Sequence, residues 1–221
     1  MKLIVISNPT NVSNEHSLLN SMFEMGLEYF HLRKPNFTDK KLKEYIELIP
    51  EQFHNRVIIH SHHQLAIEYG LKGVHYTSKN QYQELTVFPK HVHQSASFHS
   101  LDELKMVNTN FQYVFLSPVF DSISKAGYKS TFNLQKVRLF LKNRKDCDSK
   151  DFSTSLEMTF NGVFIALGGI DEHTIPQAAE SGFDGVAVLG ALWQAKNPAD
   201  KFNRLADACS RYNKIRDEFY I

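Results

Sequence analysis

The chain reads as a (β/α)8 barrel, and three features of its sequence predict this. Short apolar runs rich in β-branched and aromatic residues alternate with amphipathic stretches from one end to the other, the rhythm of parallel strands joined by crossover helices. Eight strand-then-helix units fit along the chain, which is a barrel's number. The last two apolar runs end in glycine where a helix should begin, at Gly168-Gly169 and at Gly190. Glycine lets an anion approach the backbone, a following helix N-terminus favours negative charge, and barrels of this kind often hold a phosphate at the loops after their last two strands. A doubly wound open sheet would more naturally carry a glycine-rich turn after its first strand, where Ser7-Asn8-Pro9-Thr10 stands instead.

In order, the apolar run at residues 3–6 is far too short for a signal segment or a membrane span and reads as the first strand. Further strands are expected at 28–32, 57–60, 73–75, 92–96, 113–116, 163–167 and 185–189. Between them, helices are expected at 15–24, 38–48, 63–69, 101–107, 134–141, 173–180 and 200–215. Thr38-Asp39 and Asp171-Glu172 supply capping or dipole-matched residues at two of the helix starts. Residues 143–159 are polar, centred on Lys145 to Asp151, show no apolar period and read as a surface excursion before the seventh strand.

Size and composition bound the function. A chain of 221 residues suits one sizeable core, so residues 1–221 are expected to form one domain. With 42% hydrophobic and 22% charged residues and a formal charge of +1, nothing points to disorder, a membrane or an extended nucleic-acid footprint, and the expected partner is a small molecule. Cys147 and Cys209 offer neither a disulfide framework nor a thiolate metal motif, which fits the cytoplasm. A homo-oligomer is compatible with the sequence.

Several segments in order resemble the thiamine-phosphate synthase family and its thiazole tautomerase relatives. They are His31-Leu32-Arg33, Gly73-Val74-His75, Ser97-Phe98-His99, Ser117-Pro118-Val119-Phe120-Asp121 through Lys125, Ala166 to Ile170, and Gly182 to Val188. The resemblance implies a TIM barrel that binds thiazole phosphate. For the synthase it also implies coupling to hydroxymethylpyrimidine diphosphate, with release of diphosphate held by Mg2+. Carried over residue by residue, it places Ser122, Ser124 and Lys125 with Gly168, Gly169 and Gly190 around the thiazole phosphate, and Arg33, Ser97 and Lys125 around the diphosphate.

The family's two magnesium-binding aspartates fall on Ser61 and Asn80, neither of which carries charge to hold a hard cation. Its glutamine-leucine-arginine-x-lysine motif becomes His31-Leu32-Arg33-Lys34, with the lysine displaced by one. Alternate strand residues share a face, so His31 and Arg33 can point into the mouth while Lys34 starts on the opposite side. The tautomerase relatives also lack the aspartates, but their histidine falls here on Pro118. His31 and His60, both at strand ends, are the candidate replacement acid or base.

Three functions follow as expectations: a thiamine-phosphate synthase-like transferase, a metal-independent thiazole phosphate tautomerase, or a non-catalytic protein that binds a phosphorylated ligand. Magnesium is expected from the resemblance, while the ligands present leave its site unassigned. Eleven histidines, among them His60, His62, His63, His91 and His93, invite a transition-metal site; the sequence gives no firm third ligand, so they read first as surface or hydrogen-bonded residues.

Overall fold

The computed structural model describes residues 1–77, 88–105, 111–121, 130, 132–146 and 162–218. Eight parallel strands close into a barrel in chain order: β1 (Lys2–Ile6), β2 (Tyr29–Leu32), β3 (Val57–Ile59), β4 (Gly73–Tyr76), β5 (His93–Phe98), β6 (Tyr113–Leu116), β7 (Val163–Leu167) and β8 (Gly185–Val188). Closure comes from β1 pairing with β8, Lys2 opposite Gly185 and Val5 opposite Val188. The helices are α1 (Glu15–Glu24), α2 (Asp39–Glu47), α3 (Leu65–Glu68), α4 (Leu101–Lys105), α5 (Leu134–Asp146), α6 (Ile175–Glu180), α7 (Gly190–Trp193) and α8 (Pro198–Glu218).

The expected elements all occur, with informative differences at their ends. Strand β5 runs to Phe98, which puts Ser97 on the strand and gives it a fixed side-chain direction. Helix α5 continues to Asp146, so the polar stretch expected from 143 begins as helix; residues 147–159 lie outside the described residues. A short 3-10 helix, Glu51–Arg56, and the single turn α7 were not expected. The start of α6 is delayed because the Asp171 carboxylate accepts from the His173 and Thr174 amides at 2.9 and 3.0 Å, forming a turn ahead of it.

Strand alternation sorts the core into two clusters. Ile4, Ile6, Tyr113, Phe115, Ile165 and Ala187 fill the barrel, whereas Val5, Phe30, Val57 and Ile59 face outward onto helix residues such as Leu19, Phe23, Leu42 and Ile46. Among the described residues no helix is long and apolar enough to cross a membrane.

Lys34 takes the outer side that its parity predicts. Its ammonium is buried, 2.5 Å from the Glu15 carboxylate and 2.9 Å from the Thr10 carbonyl oxygen, and it lies over the rings of Tyr45 and Phe37 at 5.2 and 5.7 Å. Glu15 stands in the first turn of α1, so this pair ties the end of β2 to the helix after β1. Burial and the nearby Glu15 charge push the Tyr45 phenol up, keeping it protonated. Removing one member of a buried pair strands the other's charge and costs about 3–5 kcal/mol. Lys34→Met should lower unfolding stability by that order in urea titrations, and Glu15→Gln with Lys34→Met should recover most of it. A single variant as stable as wild type would show that the charge is not confined.

Candidate active site

Three histidines meet inside the barrel from adjacent strands. His31 lies on β2, His60 follows the last residue of β3, and His75 lies on β4. His31 is completely buried, with Nδ1 2.9 Å from His60 Nε2 and Nε2 2.7 Å from the Tyr113 hydroxyl. His75 is also completely buried, with Nδ1 2.8 Å from Ser95 Oγ and Nε2 2.7 Å from Ser97 Oγ. The Ser95 hydroxyl donates to the Val74 carbonyl at 3.2 Å, so it accepts from His75 Nδ1–H, and the His75 lone pair lies on Nε2. Phe115 packs against His31 and His75 at ring-centroid distances of 4.9 and 4.6 Å.

Burial dominates the charge state of these rings. Desolvation lowers the His31 pKa to about 3. It also holds His60 and His75 well below the ordinary histidine value, helped by the other imidazoles and by the positive charge of Arg33. All three are therefore neutral at physiological pH, able to donate and accept hydrogen bonds but poor as bases.

The backbone of Arg33 is fixed by Ser7, whose buried hydroxyl accepts from the Arg33 amide at 2.8 Å and donates to the Arg33 carbonyl at 3.0 Å. The Arg33 side chain is half-buried and near enough to His60 and His75 to act on both. Sequence reasoning thus brought His31, His60, Arg33 and Ser97 to one strand-end neighbourhood. It did not pick out His75, Ser95 or Tyr113 as parts of the same network, although counting alternate positions back along β4, β5 and β6 would have pointed them inward. His91 and His93 stand at the start of β5, the opposite end from the mouth, and belong to no cluster with the other three.

Gly168 and Gly169 follow β7, and Gly190 opens α7 after β8. The glycine pair has a packing reason of its own. Both residues have positive φ, 96° and 65°, and a Cβ would stand 2.7 Å from Pro118 Cβ at Gly168 and 2.3 Å from the Asp121 carbonyl oxygen at Gly169. The loop after β6 presses onto this turn, with Val119 N–H donating to Leu167 at 2.9 Å and Phe120 N–H to Gly168 at 3.1 Å. Ser61 is half-buried beside His60. Asn80, Ser122, Ser124 and Lys125 lie outside the described residues. A separate cleft of about 510 Å3, lined by Lys2, Glu28, Tyr29, Asp184 and Ser210 among others, opens at the N-terminal end of the barrel, away from these groups.

A family model described as thiamine monophosphate synthase matches residues 3–192. The chain belongs to that family. Among curated relatives, the thiamine-phosphate synthase of Latilactobacillus sakei is 25% identical over 206 residues, covering 88% of this chain and 85% of the relative. That of Anoxybacillus flavithermus is 26% identical over 164 residues, covering 72% and 68%. In structure, the chain is similar to thiamine phosphate pyrophosphorylase from Bacteroides thetaiotaomicron, with a TM-score of 0.75 and 30% identity over 95% of this chain and 98% of the other. The Pyrococcus furiosus thiamine phosphate pyrophosphorylase shares the fold at a TM-score of 0.70 and 17% identity, covering 96% of each chain. These relatives place the chain among enzymes of thiamine biosynthesis.

Two outcomes follow from this geometry. Each buried imidazole is neutral when folded, whereas in the unfolded chain it takes up a proton as pH falls through about 6.5. The stability this represents is full above about pH 7 and drains as pH falls, by about 1 kcal/mol per histidine between pH 7 and 5.5. Denaturant unfolding with a chelator present should show the loss; equal stability at both pH values would mean solvated rings. Gly169→Ala should cost about 2 kcal/mol or more through its left-handed backbone and the contact with Asp121, read from the unfolding midpoint.

Proposed function

We propose that this chain catalyses formation of thiamine phosphate from thiazole phosphate and hydroxymethylpyrimidine diphosphate. The observation that carries the reading is the family match across residues 3–192 together with Arg33 and Ser97 side by side with the histidine network at the strand ends. In the reaction the bond between the pyrimidine methylene carbon and the diphosphate oxygen breaks, its electron pair leaves with diphosphate, and the thiazole nitrogen bonds to that carbon. Arg33 would meet the charge that grows on the departing diphosphate, in a partly dehydrated setting where a fixed cation acts strongly. Ser97 can donate to a phosphate oxygen on giving up His75. Lys125, Ser122 and Ser124, with the turns at Gly168, Gly169 and Gly190, would hold the thiazole phosphate.

The magnesium that the family implies does not fit the donors at the described mouth. A divalent hard cation takes carboxylate and other oxygen ligands, and here Ser61 stands where the family has an aspartate, beside imidazoles and a guanidinium. No step is assigned to it, and Arg33 and Lys125 carry the compensating charge. The same substitution favours a second reading, a thiazole phosphate tautomerase that needs no metal. His60, 8% exposed against complete burial of His31 and His75, is the ring nearest to solvent and, held neutral, would orient the substrate by hydrogen bonding rather than act as a strong base.

Incubating the purified protein with both substrates, with magnesium or with chelator, tests the assignment. Thiamine phosphate should form, and Arg33→Ala should lower kcat/KM by about 10²–10³, the range for loss of one preorganised charge-stabilising group. Product only with magnesium would show that the substrates' own phosphate oxygens and water hold the ion. No product under either condition would overturn the synthase reading; isomerisation of thiazole phosphate would then support the tautomerase, and ligand binding without turnover a binding protein.

A further inference from the structure

We propose that His31, His60 and His75 form a binding site for a divalent transition-metal ion of the zinc class, one nitrogen from each ring, inside the barrel just below its mouth. One ligand nitrogen from each of the three lies within 4.8 Å of the others, and all three side chains are buried. His31 and His75 lie on β2 and β4, and His60 directly follows β3 with its amide donating to the Leu32 carbonyl of β2 at 3.2 Å, so the sheet and its immediate edge set their spacing. Metal–nitrogen bonds of about 2.0–2.1 Å place tetrahedral ligands about 3.3 Å apart, so no pair of these nitrogens has to close by more than about 1.5 Å.

The outer hydrogen bonds already have the form that holds a metal-binding imidazole. Ser95 accepts a hydrogen bond from His75 Nδ1–H, which leaves the lone pair on Nε2, at present facing the Ser97 hydroxyl. Tyr113 can accept a hydrogen bond from His31 Nε2–H, leaving the lone pair on Nδ1 towards His60. His60 is the ring that hydrogen bonding leaves incomplete among the described residues: its Nδ1 is buried with no hydrogen-bond partner there. With the proton of its contact to His31 moved to Nδ1, His60 Nε2 and His31 Nδ1 both present lone pairs across the 2.9 Å between them, and once the rings turn towards a shared ion three neutral ligands bind it without losing a proton. Three imidazoles select zinc, cobalt or nickel over magnesium, and a fourth position is left for water or a ligand oxygen. Arg33 opposes the cation's charge and makes an anionic fourth ligand favourable.

Cobalt titration of the full-length protein, stripped of metal with chelator, tests it. One equivalent should bind with the visible bands of nitrogen-ligated, four- or five-coordinate Co2+, and Zn2+ should displace it and raise the Tm. His75→Gln and His60→Asn should each weaken binding at least tenfold, whereas His91→Ala, on the exposed surface, should not. If His75→Gln fails to give a native circular dichroism spectrum, His60→Asn alone decides. Absence of stoichiometric cobalt binding, or equal binding by wild type and His60→Asn, overturns the proposal.

Discussion

Closure of the sheet is the constraint on which the rest depends. Once β1 pairs with β8 there is no free edge, and every second strand residue is forced into the closed interior. Several of these positions hold Ile4, Ile6, Phe115, Ile165 and Ala187, which ask nothing of their neighbours but shape. Where the inward residues are polar, the barrel has to satisfy them internally. His31 spends its nitrogens on His60 and Tyr113, and His75 spends both on serines of the next strand. The polar layer is thus held by the same register that builds the apolar one.

The same alternation explains why a displacement of one residue has a large consequence. Arg33 and its neighbour Lys34 are one peptide unit apart, yet one stays with the mouth and the other is locked against Glu15 outside the barrel wall. No side-chain rotation exchanges those positions while the strand end is clamped by Ser7 on Arg33. A lysine at the family's position would have added a second cation to the mouth. Here that charge is committed to joining α1 to β2, and the described mouth keeps Arg33.

Much of the barrel was legible because its signals are local. Helix α1 and strands β6 and β7 fall where hydrophobic runs place them, and Thr38 caps α2 as its side chain allows, accepting from Lys41 N–H at 3.4 Å. The 3-10 helix at Glu51–Arg56 was not legible, because its reason is tertiary: His54 bonds the carbonyls of Ile49 and Tyr69, and Arg56 reaches those of Phe23 and Leu27. The site divides in the same way. His31 and Arg33 could be paired by parity within one strand, but the meeting of His31, His60 and His75 depends on the stagger between three strands, which no single run records. Gly168 and Gly169 carry two meanings that the sequence cannot separate, and in the fold their first service is to let the Pro118 to Asp121 loop approach.

What the mouth can do is then decided by donor chemistry. Ser61, beside His60, brings no negative charge, and the rings next to it offer nitrogen rather than hard oxygen ligands. Neutral imidazoles buried beside Arg33 cannot become cations cheaply, since each added charge would face both desolvation and repulsion. They can still place a lone pair or a hydrogen bond with little reorganisation, because their outer nitrogens are held by Ser95 and Tyr113. An anionic substrate entering this mouth would therefore meet its charge partner in Arg33 and its orientation in the neutral groups behind it. Charge and positioning are carried by different side chains, and the alternation along β2 is what keeps them on the same side.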